Sequence, residues 1–400
     1  SPAMTRAVVS LNSGSSSIKF GLYELDPNGA PVLAVRGKIE RIGISPRLSI
    51  RDSAGGQLLE QEWPGEAGLT HADLLVSLFD WASTRLTGIE VTAIGHRVVH
   101  GGTDFVSPCL IDGDILVRLD RLCPLAPLHQ PHNLSAIHAI ARIAPALPQV
   151  ACFDTAFHNG RPALAKRFAI PRALHDQGIQ RYGFHGLSYE YIARRLAEVD
   201  AEMAAGRVIA AHLGNGASLC AMSAGKSMDT TMGFTALDGL MMGTRCGTID
   251  PGVILHLQAE MGMAAKDVEN LLYSRSGLLG VSGLSSDMRE LSLSDRPEAA
   301  EAIDLFTWRA AREAGALASS LEGLDGLVFT AGIGEHHADV RARICRRLQW
   351  LGIRIDDAAN TANAPLISLA DSPIKVRIIP TDEERMIALH TLSILNGPQA

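Results

Sequence analysis

Two stretches of this chain, half its length apart, follow the same design. AVVSLNSGSSSIKFGLYELD, near the N-terminus, places a polar turn with Gly between two apolar runs, and RVIAAHLGNGASLCAMSAG, from Arg207, does the same. Apolar runs on either side of a short turn of Gly and small polar residues are typical of β-hairpins. Val8 and Val208 stand at equivalent points of the two stretches, so we expect two related halves that each begin with a hairpin.

The rest of the sequence alternates between strand-like and helix-like segments. VTAIGHRVVH and PQVACFD are apolar runs typical of buried strands, whereas LSAIHAIARIA and YEYIARRLAEV carry apolar residues at helical spacing. The alternation predicts an α/β protein. Because 400 residues are more than one core usually supports, we expect two domains.

A third turn with Gly follows the apolar run GLVFT in GLVFTAGIGEHHADV. We expect this turn to lead into a helix that begins near His337. Three Gly turns at the ends of strands favour a nucleotide-binding site.

The composition limits the classes of partner and location. The formal net charge of -7 and the lack of a Lys/Arg cluster argue against nucleic-acid binding and favour a small-molecule partner. The six cysteines have no CxxC pair and no framework spacing, which predicts reduced thiols and a cytoplasmic location. The sequence has neither a signal-peptide pattern nor a long apolar stretch, so no membrane association is expected.

The first turn, from Asn12 to Lys19, allows two interpretations. Gly and small polar residues are what a tight hairpin turn needs. A turn of backbone N–H groups with hydroxyl donors and one Lys also suits a bound phosphate group. This segment by itself favours the plain hairpin and leaves the phosphate interpretation open.

HRVVHGG places His96 and His100 four residues apart on a strand-like run. Residues at this spacing share a face and could bind a metal, but no acidic residue or third ligand accompanies them in the segment. We therefore predict that both histidines are structural. Arg97 points to the opposite face, beside Gly101 and Gly102, and is a candidate clamp for a carboxylate or a phosphate.

Three further segments carry candidate catalytic residues. FDTAFH puts Asp154 where an apolar strand ends, the usual place for a catalytic carboxylate in an α/β sheet, although Asp and Thr also cap helices and turns. YGFHGLSYEYIA puts His185 ahead of a helix, for which we predict Ser188 as the N-cap and Glu190 in the first turn. GLMMGTRCG sets Arg245 in a loop of glycines, where a long side chain is best held by something it binds.

These segments occur together with others in a fixed order: LNSGSSSIKF, GHRVVHGG, APLHQPHN, FDTAFH, YGFHG, HLGNGAS, GKSMDTTMGFTALDGLMMGTRCG, SGLSSDMREL, FTAGIGEH and TDEERMIA. In order and spacing, over nearly the whole chain, they resemble the acetate kinase family. The resemblance implies the α/β fold of the acetate and sugar kinase, heat-shock chaperone and actin superfamily, with two ribonuclease H-like domains around a central cleft. We expect an N-terminal domain at 1–157, completed by 385–400, and a nucleotide-binding domain at 158–384.

The resemblance also implies roles for the residues that match the family's site. Asn12 and Glu383 match positions associated with Mg²⁺, for which Mn²⁺ is an alternative, and Arg97 matches the Arg that binds the substrate carboxylate. The matching catalytic residues are Asp154, His185 and Arg245. The residues that match the lining of the acyl pocket are Val99, Leu128, Phe184 and Ala236, and His129 lies in a neighbouring matching segment. The residues that match nucleotide-binding or phosphate-facing positions are Ser15, Ser17, Lys19, His212, Leu213, Gly214, Asn215, Gly216, Asp287, Met288, Arg289, Gly332, Ile333, Gly334, Glu335 and His336.

The implied reaction is the reversible, magnesium-dependent transfer of the ATP γ-phosphoryl group to acetate, which gives acetyl phosphate and ADP; the implied assembly is a homodimer. Such a transfer needs positioning and charge neutralisation more than covalent chemistry. A carboxyl group with a pKa of about 4 is already ionised at neutral pH, so the acceptor needs no general base. We therefore interpret Asp154 as a group that orients Mg²⁺, its waters or an Arg, rather than as the proton acceptor of the family description.

The chain departs from the usual family pattern at four positions near the matching segments. The family usually has Asn at His336, Pro at Ala236, Asp at Thr248 and His at Tyr189, and the loop after FDTAFH also has an unusual sequence, NGRP. His336 bears on the nucleotide contacts and Ala236 on the choice of acyl chain.

Two alternative functions remain. One is a propionate or other short-chain acyl kinase with the same site. The other is an ATPase of the same superfamily that transfers no phosphoryl group and acts as a nucleotide-gated switch. Arg97 beside a small apolar pocket argues against the switch, which would need no clamp for an acceptor.

Overall fold

The structure is a computed structural model that describes residues 4–397. The chain forms two compact units. The first runs through Ala156 and takes in the chain again from Asp382, and the second is Phe157–Thr381. Each unit combines one β-sheet with helices, which confirms the predicted α/β class.

The first unit is built on an eight-stranded sheet. Its strands are β1 (Thr5–Ser13), β2 (Ile18–Leu25), β3 (Pro31–Glu40), β4 (Arg47–Asp52), β5 (Gln57–Glu62), β6 (Ile89–Val98), β7 (Cys109–Leu110) and β8 (Gln149–Phe153). Its helices, apart from the last one of the chain, are α1 (His71–Arg85), α2 (Gly113–Asp120) and α3 (Gln130–Ile143). The strands lie in the order β5-β4-β3-β2-β1-β6-β8-β7.

The second unit is built on a five-stranded sheet. Its strands are β9 (Arg207–Leu213), β10 (Ala217–Ser223), β11 (Lys226–Thr230), β12 (Gly326–Thr330) and β13 (Lys375–Ile378), in the order β11-β10-β9-β12-β13. Its helices are α4 (Arg172–Asp176), α5 (Gly186–Val199), α6 (Ala201–Ala204), α7 (Pro251–Ala259), α8 (Ala265–Ser274), α9 (Gly277–Ser282), α10 (Met288–Leu293), α11 (Pro297–Leu321), α12 (Ala331–His336), α13 (Ala338–Arg347) and α14 (Asp357–Thr361). Short 3-10 helices occupy Gly65–Ala67, Cys123–Leu125, Ala156–His158, Ala163–Lys166 and Gln349–Leu351 along the chain.

Five strands of the first sheet have the same topology as the second sheet, as the repeated hairpin predicts. In the first unit β3, β2 and β1 are antiparallel neighbours, and β6 and β8 continue the sheet parallel to β1. In the second unit β11, β10 and β9 are antiparallel neighbours, and β12 and β13 continue it parallel to β9. Both predicted hairpins are therefore confirmed, and each begins the sheet of its unit.

The last helix, α15 (Glu383–Leu395), returns the chain to the first sheet. It comes so close to β6 that a Cβ at Gly95 would lie 2.0 Å from Thr391 Oγ1. Only Gly allows this approach, because any side chain at that position would displace the helix. This packing holds α15, whose first residue is Glu383, against the first sheet.

Two predictions about helix starts are wrong. α5 begins at Gly186 with His185 as its N-cap, not Ser188, and Glu190 lies beyond the first turn. His185 makes the turn into the helix with φ 56°, and the Ser188 hydroxyl bonds to His212 Nδ1 instead of capping. The prediction of a third Gly turn is also wrong, because GIGE lies inside α12, whereas the helix predicted to begin near His337 is confirmed as α13.

Both histidines of HRVVHGG are buried within the first unit. His96 Nε2 contacts Gln149 Oε1 at 2.6 Å, and His100 Nδ1 accepts a hydrogen bond from the Gly102 N–H at 2.9 Å. These contacts are what structural histidines make. Among the helices of residues 4–397, none is both long and apolar enough to cross a membrane.

His96 makes the stability of the fold depend on pH. Burial lowers its pKa to about 4, although the hydrogen bond to Gln149 partly opposes the shift. An unfolded His titrates near pH ~6.5, so the unfolded chain binds more protons below that pH, and stability falls as the pH drops from there towards the folded pKa. At pH ~5 the loss due to His96 is about 2 kcal/mol. Urea unfolding of the wild type and His96→Gln at neutral pH and at pH ~5 should show the larger acid loss in the wild type; equal losses would contradict this prediction.

Candidate active site

The carboxyl ends of β6 and β8 bring together two charged residues that the sequence analysis singled out. β6 and β8 are parallel neighbours with Val98 opposite Phe153, so Arg97 and Asp154 emerge at the same edge of the sheet. Asp154 is fully buried, and its Oδ2 accepts hydrogen bonds from Arg97 Nε at 2.9 Å and from Nη2 at 2.5 Å. This pair fixes the direction of the Arg97 guanidinium.

An amide and a second carboxylate complete the polar cluster of the first unit. Arg97 Nη1 donates to Asn12 Oδ1 at 3.5 Å. Burial raises the pKa of Glu383 to about 7; Arg97 opposes the shift, whereas the carboxylates of Asp154 and Glu384 add to it. Burial alone would lower the pKa of Arg97, but Asp154 and Glu383 raise it above its usual value, so the guanidinium stays charged.

The oxygen atoms of this cluster fit a divalent cation. Asp154 Oδ1 is buried and accepts no hydrogen bond from residues 4–397, and the Asn12 and Glu383 side chains lie in the same cluster. Mg²⁺ usually keeps several waters and takes one or two carboxylates together with substrate phosphates. In the described part of the chain, no group of three or more His, Cys, Asp and Glu side chains could hold a metal ion. The residues present therefore suit a cation that binds together with a phosphate-bearing substrate.

The turn between β1 and β2 is the first Gly turn of the sequence. Gly14 N–H donates to Ser17 C=O at 2.8 Å and closes the turn, while Ser15 is exposed. Lys19 is exposed and pairs with Asn12 across the hairpin. The turn therefore places hydroxyls and one ammonium group next to Asn12, and its role as a phosphate site stays a prediction.

Two buried amides of α3 support the same edge of the first sheet, and neither is among the site residues predicted from the sequence. Gln130 bonds to both the N–H and the C=O of His100, at 3.0 and 2.9 Å. Asn133 accepts from the Val99 N–H at 3.0 Å and donates to Ser13 C=O at 2.8 Å. Both belong to APLHQPHN, and the available signal was a pair of amides on the apolar side of a helix.

The residues expected to line an acyl pocket are divided between the units. Val99 is buried and Leu128 is 41% exposed in the first unit, where His129 is the N-cap of α3. Phe184 is buried and Ala236 half-buried in the second unit. Their common role stays a prediction.

His185 is held in one orientation within the second unit. Its φ of 56° lies in the left-handed region, which non-Gly residues adopt mainly where the surrounding structure requires it, often at functional sites. Nδ1 contacts Ser218 Oγ at 2.8 Å, and the ring stacks on His212 with centroids 4.0 Å apart. The plane and the rotation of the imidazole are thus both fixed.

Arg245 lies against the same backbone as His185. Its Nη1 donates to Ala236 C=O at 2.7 Å. A Cβ at Gly216 would lie 2.7 Å from Arg245 Nη2 and 3.4 Å from His185 Nε2, so a side chain at this position would have to displace the end of the Arg245 side chain. The structure therefore brings together three residues that the resemblance selected.

The three expected nucleotide-binding segments all lie in the second unit. Residues 212–216 form the end of β9 and the turn to β10. In 287–289, Asp287 is the N-cap of α10, Met288 is buried and Arg289 is exposed. Residues 332–336 lie within α12, where Glu335 Oε2 accepts from Thr381 N–H at 3.4 Å. Their contact with a nucleotide stays a prediction.

Comparison with known proteins identifies the family. The sequence model of the acetokinase family matches residues 7–389. The acetate kinase of Rhodopseudomonas palustris is 51% identical over 399 residues, which cover 98% of this chain and 100% of that protein. The acetate kinase of Rickettsia felis is 41% identical over 397 residues, with the same two coverages.

Solved structures agree with the sequence comparison. The acetate kinase of Porphyromonas gingivalis superposes with a TM-score of 0.87 at 36% identity and covers 98% of this chain and 100% of its own. A propionate kinase from Francisella tularensis gives 0.89 at 37% identity, with coverages of 96% and 98%. The chain belongs to the acetokinase family and is a kinase, as the motifs predict.

Proposed function

We propose that this chain transfers the γ-phosphoryl group of ATP to acetate, giving acetyl phosphate and ADP, and that it also catalyses the reverse reaction. Family membership and the names of the relatives support this function. The observation that carries it is the Arg97–Asp154 pair. A guanidinium oriented by a buried carboxylate suits the planar carboxylate of a small acid, which it can bind with two parallel N–H donors.

Asp154 acts in this proposal as the group that orients Arg97. Acetate is ionised at neutral pH, so no proton has to be removed before it attacks the γ-phosphorus. The two hydrogen bonds that Asp154 Oδ2 accepts from Arg97 support an orienting role over that of a proton acceptor.

His185 and Arg245 stabilise the charge that develops on the phosphoryl group during transfer. Both lie against Gly216 with their N–H donors on one side of the backbone. Donors that are fixed before the reaction need no rearrangement in the transition state, which is the main advantage of such a site. Lys19, Ser15 and Ser17 of the first turn are proposed to contact the phosphates.

Asn12 and Glu383 are the proposed ligands of Mg²⁺, and Mn²⁺ has similar ligand preferences. The metal, when bound, neutralises phosphate charge. Segments 212–216, 287–289 and 332–336 are proposed to bind the nucleotide, and His336 is expected to alter the contacts made there. Val99, Leu128, Phe184 and Ala236 are proposed to contact the acyl group.

The two units are the proposed ribonuclease H-like domains, with the nucleotide bound by the second. We further propose a homodimer in the cytoplasm. α7 supports a dimer, because the apolar sequence PGVILHLQA has no buried residue in the single chain and Leu255 is 65% exposed. Light scattering on the purified protein should give twice the chain mass; the chain mass alone would contradict the dimer.

Trapping with hydroxylamine tests the proposed reaction. The protein is incubated with ATP, Mg²⁺ and acetate, propionate or other short acids, and hydroxylamine converts any acyl phosphate to a hydroxamate. We expect hydroxamate and ADP in equal amounts with acetate, and neither in the absence of an acid. ATP hydrolysis without hydroxamate from any acid would contradict the kinase and favour the nucleotide-gated switch.

Ala236 is expected to widen the choice of acid. A methyl group in place of the proline ring leaves room for a longer chain, and one methylene changes discrimination by roughly 10- to 200-fold in such pockets. We expect measurable propionate phosphorylation, and Ala236→Pro should lower kcat/KM for propionate more than for acetate. Proline keeps the carbonyl that accepts from Arg245, so acetate turnover should survive.

The measurement is the ratio of the two kcat/KM values, which is insensitive to a general loss of active protein. Ala236→Ser is the matched control, since it changes the residue without adding a ring and should leave the ratio within about twofold. An unchanged ratio in active Ala236→Pro protein would show that this position does not limit the pocket.

A further inference from the structure

A chain of buried hydroxyl groups leads to the imidazole of His185. Tyr189 Oη contacts Ser218 Oγ at 2.5 Å, and Ser218 Oγ contacts His185 Nδ1 at 2.8 Å. Tyr189 and Ser218 are both fully buried. Tyr189 is also one of the positions where the chain departs from the usual pattern of the resemblance, which has His there.

The backbone fixes the positions of the Tyr189 and Ser218 hydroxyl groups. Tyr189 lies one helical turn after His185 in α5, and its N–H donates to His185 C=O at 3.0 Å. Ser218 lies on β10, in the fully buried part of that strand. Because neither hydroxyl reaches water, each has to satisfy its hydrogen bonds within the protein.

The direction of the hydrogen bonds from Tyr189 through Ser218 to His185 determines which ring nitrogen of His185 carries the proton. A phenol is the more acidic hydroxyl, with a pKa of about 10, and is therefore the better donor to Ser218 Oγ. Ser218 is then free to donate its own proton to His185 Nδ1. An imidazole that accepts at Nδ1 carries its hydrogen at Nε2 when it is neutral.

On the opposite side of the His185 ring, Nε2 lies where a hydrogen-bond donor could contact the transferred phosphoryl group. Nε2 lies beside Gly216 on the same side as the guanidinium of Arg245, as the near approach of a Cβ at Gly216 to both groups demonstrates. An Nε2–H and a guanidinium that face one point are both donors to an anion placed there. His212, stacked on the ring, prevents the imidazole from turning over.

We propose that Tyr189 is a positioning residue which, through Ser218, holds His185 in the Nε2–H tautomer that donates to the transferred phosphoryl group. The catalytic part of this inference rests on the proposed function. The tautomer part concerns the protein without substrate and can be tested separately.

The tautomer is measured by ¹⁵N NMR of protein labelled at histidine, with the His185 signals assigned by their loss in His185→Gln. The wild type should show a protonated Nε2 and an unprotonated Nδ1 at a pH where the ring is neutral. Tyr189→Phe keeps the ring and removes the hydroxyl, and it should give a mixture of the two tautomers. Tyr189→His restores a buried donor and should return the signals towards the wild-type pattern.

Kinetics supply the second readout. Tyr189→Phe should lower kcat about tenfold while both KM values stay within about twofold, because a neutral hydrogen bond is removed and no substrate contact is lost. Tyr191→Phe makes the same chemical change two residues further along α5; because residues two apart in a helix lie on different faces, it is the control and is expected to alter neither tautomer nor rate. Ser218→Ala breaks the link at its other end and should reproduce the effect of Tyr189→Phe; it also serves if the latter fails to fold.

A Tyr189→Phe or Ser218→Ala protein that keeps the pure Nε2–H tautomer would overturn the inference. A changed tautomer with an unchanged kcat would overturn the catalytic part. If the wild type transfers no phosphoryl group at all, the proposed function fails, and the NMR result still decides whether Tyr189 sets the tautomer.

Discussion

Replacing Asp154 with Asn is expected to lower kcat for acetyl phosphate formation about a thousandfold. The carboxylate is fully buried, and its Oδ2 holds two N–H groups of Arg97. Removing one partner of a buried ion pair costs about 3–5 kcal/mol, which corresponds to roughly three orders of magnitude in rate when it is expressed in the transition state. Because Arg97 is proposed to hold acetate, KM for acetate should rise as well. Initial rates at saturating ATP, with circular dichroism to verify the fold, provide the measurement.

The matched control is Asp104→Asn, in the exposed ion pair with Arg118 at 3.6 Å. The chemical change is the same, but exposed pairs contribute little, so kcat should stay within about twofold. The KM value separates the two roles of Asp154. A large loss of kcat with no change in KM for acetate would contradict the orienting role and favour a proton acceptor.

The Arg97–Asp154 pair also illustrates what the sequence could predict of the site. Each residue could be placed at the end of an apolar strand from its own segment. That the two strands are parallel neighbours, and that both N–H groups reach one oxygen, depends on the sheet order, since the residues are far apart in the chain. The repeated hairpin was predictable for a different reason: its two strands are adjacent in sequence and the turn residues are local.

The predictions that failed are those in which a distant contact overrides a local preference. Ser188 is a good N-cap residue by type, but its hydroxyl bonds to His212, which lies on strand β9. The helix instead begins after His185, whose left-handed conformation no sequence pattern indicates. Tyr189 was visible only as a departure from a pattern, because its partner Ser218 comes from β10 and the contact requires the folded sheet.

Arg245→Ala is expected to lower kcat about a hundredfold and to leave KM for ATP within a few-fold of wild type. The guanidinium is anchored through Nη1 to Ala236 C=O, while Nη2 lies against Gly216 beside His185. Removing one fixed donor from developing phosphoryl charge costs on the order of 3 kcal/mol, and the loss falls on the transition state rather than on nucleotide binding. Steady-state rates with ATP varied at saturating acetate measure both constants.

Arg245→Lys distinguishes charge from geometry at the same position. Lysine keeps the positive charge but cannot both bond to the Ala236 carbonyl and present a second rigid donor, so its kcat should fall between those of the wild type and Arg245→Ala. Arg354→Ala, in an exposed pair with Asp371 in the same unit, is the control for loss of an Arg and should stay within about twofold. If Arg245→Ala is folded and its kcat is within a few-fold of wild type, Arg245 does not stabilise the transferred group. If KM for ATP rises while kcat is kept, the guanidinium binds the nucleotide in its ground state instead.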